Sequence, residues 1–272
     1  GMQEMRRGGY EFYTGTSYRH LLIHKFGSVV ELTAPHDILT KRIGEYLPQD
    51  AVLREMMETS YRILSNHPLN LERKAKGLNP ANSVWFWGAG TRPMLTSFEE
   101  KYHKKGAMIS AVDLLKGIAV GAGLDNIIVE GANGGLHTNY TGKAEAAVDA
   151  LAAQDYDFVY VHIEAPDEMG HQGSIPDKIK AIENIDQKII GPIVGELEDL
   201  CMDFRTLVLP DHPTPICVRT HTGNPVPYLL YDSRKKAEGM PEYSERLGNK
   251  SPLFEKEGHR LLSRLFEMDN ER

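Results

Sequence analysis

Cysteine is nearly missing from this chain: only Cys201 and Cys217 occur in 272 residues, with no paired spacing. That excludes a disulfide framework and a thiolate zinc site, and both thiols are expected to be reduced core residues. No apolar run nears the roughly 18 residues of a spanning helix, so no membrane partner is expected. No Lys/Arg block interrupts a formal net charge of −7 with a pI near 5.9. General affinity for nucleic acid is therefore excluded, and an anionic ligand needs a local basic pocket. The opening Gly1-Met2-Gln3-Glu4-Met5-Arg6-Arg7 lacks an apolar signal core. Cytoplasmic placement is expected, and Gly1-Met2 reads as a cloning remnant before a start methionine.

What is present is an ordinary globular composition, 41% hydrophobic and 25% charged. The length suits one large domain, or one plus a smaller piece. From Val84 onward strand-like and helix-like segments alternate. Ser83–Trp87, Ala107–Ser110, Asn126–Glu130, Asp157–Ile163, Arg205–Pro210 and Val226–Tyr231 read as strands. Between them Val112–Val120 has helical spacing, and Thr141 is expected to cap the Ala-rich helix that follows it. A long helix is expected after Ser174, with Ile179, Ile182, Ile185, Ile189, Ile193, Leu197 and Leu200 on one buried face and a kink at Pro192. Alternation of this kind predicts an α/β fold, a mainly parallel sheet with helices on both faces. Before it, Tyr18–Ile23 and Ser28–Leu32 read as strands and Asp50 as the cap of a helix carrying Leu53, Met56, Met57, Tyr61 and Leu64. The boundary between the two parts is expected near residue 80.

Metal-type ligands gather just past the strand ends. Asp157–Ile163 runs into Ala165-Pro166-Asp167-Glu168-Met169-Gly170-His171, and Arg205–Pro210 into Asp211-His212-Pro213-Thr214-Pro215. His221-Thr222-Gly223-Asn224-Pro225 follows. Ligands of open parallel sheets bind beyond the carboxyl ends of the strands, so Asp167, His171, Asp211, His212 and His221 are expected at one rim. Mixed carboxylate and imidazole donors suit Mn, Zn, Fe or Co better than calcium. Five such donors match a two-metal phosphoryl-transfer site, with a few more needed to complete both shells. The bland alternative is helix caps and solvated histidines. His162 and Glu164 read as core or as support for the ligands, while His36, His67, His103 and His259 carry no pattern.

A second theme is glycine with basic residues. Gly131-Ala132-Asn133-Gly134-Gly135 lies between a strand and a helix but matches neither nucleotide fingerprint. A tight loop near the site is the better reading. Arg19-His20 and Lys104-Lys105 are positioned to neutralise a substrate phosphate or carboxylate, with solvated surface charge the alternative for the lysines.

The segments around Asp167–His171, Leu209–Pro215 and His221–Pro227 resemble those of cofactor-independent phosphoglycerate mutases of the archaeal type, within the alkaline phosphatase superfamily. Ser110–Gly117, Thr138–Ala144 and Ser17–Leu22 extend the similarity over nearly the whole chain. The resemblance implies an alkaline-phosphatase-like catalytic domain over 81–272 and part of an α+β substrate-binding domain over 1–80. It implies two divalent ions (Mn, Zn, Mg or Co) and no 2,3-bisphosphoglycerate. Asp167, His171 and His221 would hold one ion, and Asp211 with His212 the other. Arg19, His20 and Lys105 would meet a small phosphorylated substrate. The implied reaction interconverts 3- and 2-phosphoglycerate, a serine taking the phosphoryl group and returning it to the 2-hydroxyl.

Two departures stand out. His137 sits where an acidic residue is expected in relatives. Tyr10-Glu11-Phe12-Tyr13-Thr14-Gly15 resembles sequence already inside the substrate domain, so the first sheet strand, an Asp ligand and the nucleophilic serine are expected to be missing from this chain. On that expectation a homoserine-kinase-like phosphotransferase, a metal-dependent phosphohydrolase and a non-catalytic metal-binding remnant stay open. A homodimer paired along an open sheet edge is also expected.

Overall fold

The computed structural model describes residues 8–15, 18–235, 239 and 241–266. Gly1–Arg7 and Ser17, which enter the expectations above, lie outside the described residues. The chain divides into two compact units, Gly1–Pro93 and Met94–Arg272.

In the first unit, β1 (Tyr10–Thr14) and β2 (His20–His24) form an antiparallel hairpin with Phe12 opposite Leu22. Helix α1 (Ala51–Ser65) starts where Asp50 accepts the Val52 and Leu53 amides, leaving its apolar face to bury Leu53, Met56 and Met57. Tyr61, expected on that face, is exposed. Helix α2 (Pro68–Ala75) follows, capped by His67. The segments 28–32 and 83–87, expected as strands, are irregular. Strands need a laddered neighbour, and these segments have side-chain partners instead: Trp85 Nε1 donates to the Thr33 carbonyl at 2.8 Å. Val84, Trp85 and Phe86 pack on Leu53 and Met56, which holds that stretch in the first unit rather than the second.

The second unit opens with α3 (Phe98–Tyr102). A parallel three-stranded sheet then forms from β3 (Gly106–Ile109), β4 (Asp125–Asn126) and β5 (Phe158–Val161), in the order β4-β3-β5. The crossovers are α4 (Asp113–Gly121) and α5 (Tyr140–Ala153). Met108 and Phe158 face one core with Ala119 of α4, and Val161 faces another with Ala144 of α5, so the sheet is covered on both sides. Ala144, Ala147 and Ala150 are buried because a methyl-sized contact lets α5 lie close on the strands. The cap of α5 is Asn139, which accepts the Gly142 amide, and not Thr141. The strand expected over 126–130 shrinks to the two residues of β4.

Beyond β5 come α6 (Ala165–Gln172), α7 (Ile175–Ile185), a π turn at Asp186–Ile190, and α8 (Gly191–Asp199). The long helix expected after Ser174 is present as the unbroken run α7, π turn and α8, with its irregularity at Pro192 as expected. The π turn lies immediately before Pro192, and the Gly191 amide reaches back to the Asp186 carbonyl. This five-residue register accommodates a residue without an amide and with a ring that would collide with the previous turn. Ala181, Ile189 and Leu197 are buried, but Ile179, Ile182 and Leu200 are exposed, so only part of the anticipated face is covered. Strands β6 (Arg205–Val208) and β7 (Leu229–Asp232) pair antiparallel. Arg205 Nε reaches Asp232 Oδ2 at 2.8 Å, and Arg234 and then Arg205 hold that carboxyl well below the ordinary range. Helices α9 (Glu245–Gly248) and α10 (Arg260–Leu265) follow, and Leu265 joins the core of Phe98 and Phe158. Both cysteines are exposed rather than buried. Cys201 takes a left-handed φ of 54° just past α8, a helix-ending conformation that turns it outward.

Candidate metal centre

The site is built on the junction between β5 and α6. Pro166 occupies the first turn of α6, where its missing amide is free of cost, and Asp167 and Glu168 sit in the same turn. Asp167 and His171 are four residues apart, so the helix stacks them on one face. Gly173, at a left-handed φ of 74°, ends the helix.

His221, from a loop some fifty residues on, completes a cluster with Asp167 and His171 whose donor atoms all lie within 4.8 Å of one another. His171 Nε2 is 3.3 Å from Asp167 Oδ2, His221 Nε2 is 3.4 Å from Asp167 Oδ1, and the two Nε2 atoms are 3.2 Å apart. Donors about 2.0–2.2 Å from a four- to six-coordinate ion lie about 3.0–3.6 Å from each other. The separations therefore fit one transition-type divalent ion. The tautomer fits as well: His171 Nδ1 lies 2.9 Å from the Arg219 carbonyl, which only accepts, so the Nδ1–H donates and Nε2 keeps its lone pair. Arg219 holds a φ of 56°, an uncommon conformation for a side-chain-bearing residue that aims this carbonyl.

The His212 ring lies against that of His221, with centroids 3.7 Å apart and planes tilted by 35°, and its Nε2 is 3.2 Å from Asp211 Oδ2. Burial pushes the Tyr160 phenol up and the Asp211 carboxylate adds to the rise. Burial and Lys143 push the His162 imidazole down against the pull of Asp211 and Asp167. The Asp211 side chain is largely open to solvent. Of the five residues singled out from the strand ends, Asp167, His171 and His221 form one cluster, with His212 against His221 and Asp211 beside His212.

The basic residues are not. Lys105 precedes β3, at the amino end of the strands, with Nζ over the Tyr156 ring at 4.4 Å. The Asp167–His171–His221 cluster stands beyond the carboxyl ends, so the sheet itself separates the two. Lys104 pairs with Asp157 at 3.6 Å. Arg19 and His20 belong to the first unit, where the Arg19 guanidinium stacks on Tyr18 and His20 Nδ1 accepts the Gly15 amide.

Sequence reading missed the supports. Thr214 Oγ1 donates to Asp167 Oδ1, and Lys178 Nζ donates to the Thr214 carbonyl at 2.6 Å. Lys143 is almost wholly enclosed, with Nζ donating to the His162 carbonyl at 2.8 Å. The loop Gly131–Gly135 is explained by this surrounding, not by phosphate: a side chain on Gly134 would run into the Glu164 carboxylate. Burial lowers the Lys143 pKa from 10.5 to about 8, with Glu164 opposing and Lys116 adding. Between these two values the unfolded chain binds more protons than the folded one, so stability rises with pH. The unsubstituted protein should gain about 2 kcal/mol between pH 7 and 9.5 relative to Lys143→Met. Urea unfolding of both proteins at the two pH values checks this, and a difference independent of pH contradicts it.

Residues 20–261 match the Metalloenzyme superfamily. The chain belongs to that superfamily. A relative named 2,3-bisphosphoglycerate-independent phosphoglycerate mutase from Methanosarcina barkeri is 50% identical over 247 residues, covering 88% of this chain and 62% of the relative. A probable enzyme of the same name from Geobacter sulfurreducens is 44% identical over 263 residues, covering 95% and 65%. Among solved structures, a protein from Pyrococcus horikoshii superposes with a TM-score of 0.64 at 33% identity, covering 81% of this chain and 58% of that one. The cofactor-independent phosphoglycerate mutase from Thermoplasma acidophilum gives 0.53 at 25% identity, covering 97% and 66%. The metalloenzyme chain therefore has the mixed α/β, alkaline-phosphatase-like architecture expected of it. It spans less than two thirds of the length of these curated relatives. No helix among the described residues is long and apolar enough to cross a membrane.

Proposed function

We propose that the protein to which this chain belongs is a 2,3-bisphosphoglycerate-independent phosphoglycerate mutase, interconverting 3- and 2-phosphoglycerate, with this chain carrying the metal-holding part of its site. The observation that supports it most is the convergence of Asp167, His171 and His221 at mutual distances suited to one divalent ion. Asp167, His171 and His221 hold that ion; Asp211 and His212 are two ligands of a second. Mn, Zn, Mg or Co would supply Lewis-acid stabilisation of charge on the phosphoryl oxygens. The chain's own residues do the positioning. His171 presents Nε2 because the Arg219 carbonyl takes its other proton, and Asp167 balances ion charge between two neutral imidazoles. The attacking hydroxyl belongs, in this proposal, to the share of the relatives that this chain does not match. Arg19 and His20 remain proposed substrate contacts, whereas Lys105, at the far end of the strands, is proposed as a structural cation on Tyr156. Cytoplasmic glycolytic action and pairing of two copies belong to the same reading.

The test loads the protein with Mn²⁺, adds 3-phosphoglycerate and follows phosphorus NMR. Appearance of 2-phosphoglycerate at equilibrium supports the mutase. Release of inorganic phosphate alone makes it a phosphohydrolase, and transfer to added homoserine a kinase-like enzyme. If calorimetry finds neither Mn²⁺ nor 3-phosphoglycerate bound, the catalytic reading fails and a non-catalytic role takes its place.

A further inference from the structure

The Thr214 hydroxyl lies between the two groups of metal-type ligands. The residue is 4% exposed, so its single hydroxyl proton must go to a protein acceptor. That acceptor is Asp167 Oδ1, since an ionised carboxylate can only accept. The hydroxyl oxygen is then left as an acceptor, and His212 Nδ1 stands 3.5 Å away. His212 Nε2 stands closer to its own partner, 3.2 Å from Asp211 Oδ2, a carboxylate oxygen that can only accept. One hydroxyl thus orients the Asp167 carboxylate, with the His212 ring set against its other side.

The surroundings hold Thr214 for this task. Lys178 Nζ, from α7, fixes its carbonyl at 2.6 Å. Gly170 lets the loop approach α6, because a Cβ there would lie 2.6 Å from that same carbonyl oxygen. Residues from α6, α7 and the loop after β6 meet at this one threonine although 36 and 47 positions separate the bonded pairs in sequence.

We propose that Thr214 is a positioning residue that holds the Asp167 carboxylate in place for the Asp167–His171–His221 ion site. The inference rests on the metal reading above and deepens it. Loss of an outer hydrogen-bond partner of a metal ligand weakens binding about 10- to 100-fold.

One titration tests it. Calorimetric titration with Mn²⁺ should show affinity reduced 10- to 100-fold in Thr214→Val, which keeps the shape and lacks the hydroxyl, while Thr214→Ser stays within about threefold. Wild-type Mn²⁺ affinity in Thr214→Val, or a serine variant as weak as the valine one, overturns the proposal. Absence of Mn²⁺ uptake by the unsubstituted chain overturns the metal reading and this inference together, whereas uptake unaltered by the valine substitution overturns this inference alone.

Discussion

An Asp167→Asn variant should bind Mn²⁺ at the His171–His221 site more than about 100-fold less tightly than the unsubstituted chain, a loss beyond the 10–100-fold typical of an outer partner. Both histidines are neutral when they ligate, so Asp167 is the only source of negative charge in the triad. Asparagine keeps an oxygen that can accept from Thr214 and keeps the shape of the side chain. The variant therefore isolates charge from positioning. Competition against a metal-sensitive dye reads the affinity directly. A change below tenfold would mean that Asp167 is a helix-start carboxylate with no ligand role.

A Gly170→Ala variant should be destabilised by about 1–3 kcal/mol, the range for forcing a methyl into a filled site, and should lose Mn²⁺ affinity as well. The added carbon would lie 2.6 Å from the Thr214 carbonyl oxygen, 2.9 Å from its methyl group and 3.0 Å from Lys178 Nζ. The lysine end can swing aside; the carbonyl cannot without dragging Thr214 from Asp167. Gly117→Ala is the control. Gly117 lies within α4 with nothing near its would-be Cβ, and alanine there should stabilise by about 0.5–1 kcal/mol. Thermal unfolding and Mn²⁺ titration of the pair check both signs, and equal effects at the two glycines would contradict the close approach at Gly170.

The proposed ligands can be named from the sequence because the chemistry of a parallel sheet is local to its strand ends. Asp167 and His171 share a helix turn that their spacing reveals, and Asp211 and His212 follow an apolar run. The segments expected at 28–32 and 83–87 as strands came from residue preference, which is real only when a neighbour completes the ladder. The isoleucines after Ser174 illustrate the same limit from another side. Their spacing describes a helix with an apolar face, but whether Ile179 and Ile182 are covered depends on what packs there, and in this chain they are exposed.

Residue type and order by themselves determined the α/β alternation, the family resemblance and which side chains could hold a divalent ion. Periodicity and strand-end position are properties of neighbouring residues, and a single chain carries them openly. Tertiary structure decided the rest: that Lys105 lies at the opposite end of the sheet from the ligands, that Lys143 loses its solvent, and that Thr214 stands between Asp167 and His212 with Lys178 behind it. Those facts depend on hydrogen bonds and exclusion of water between segments far apart in the chain. Only the folded backbone fixes which distant donor meets which acceptor.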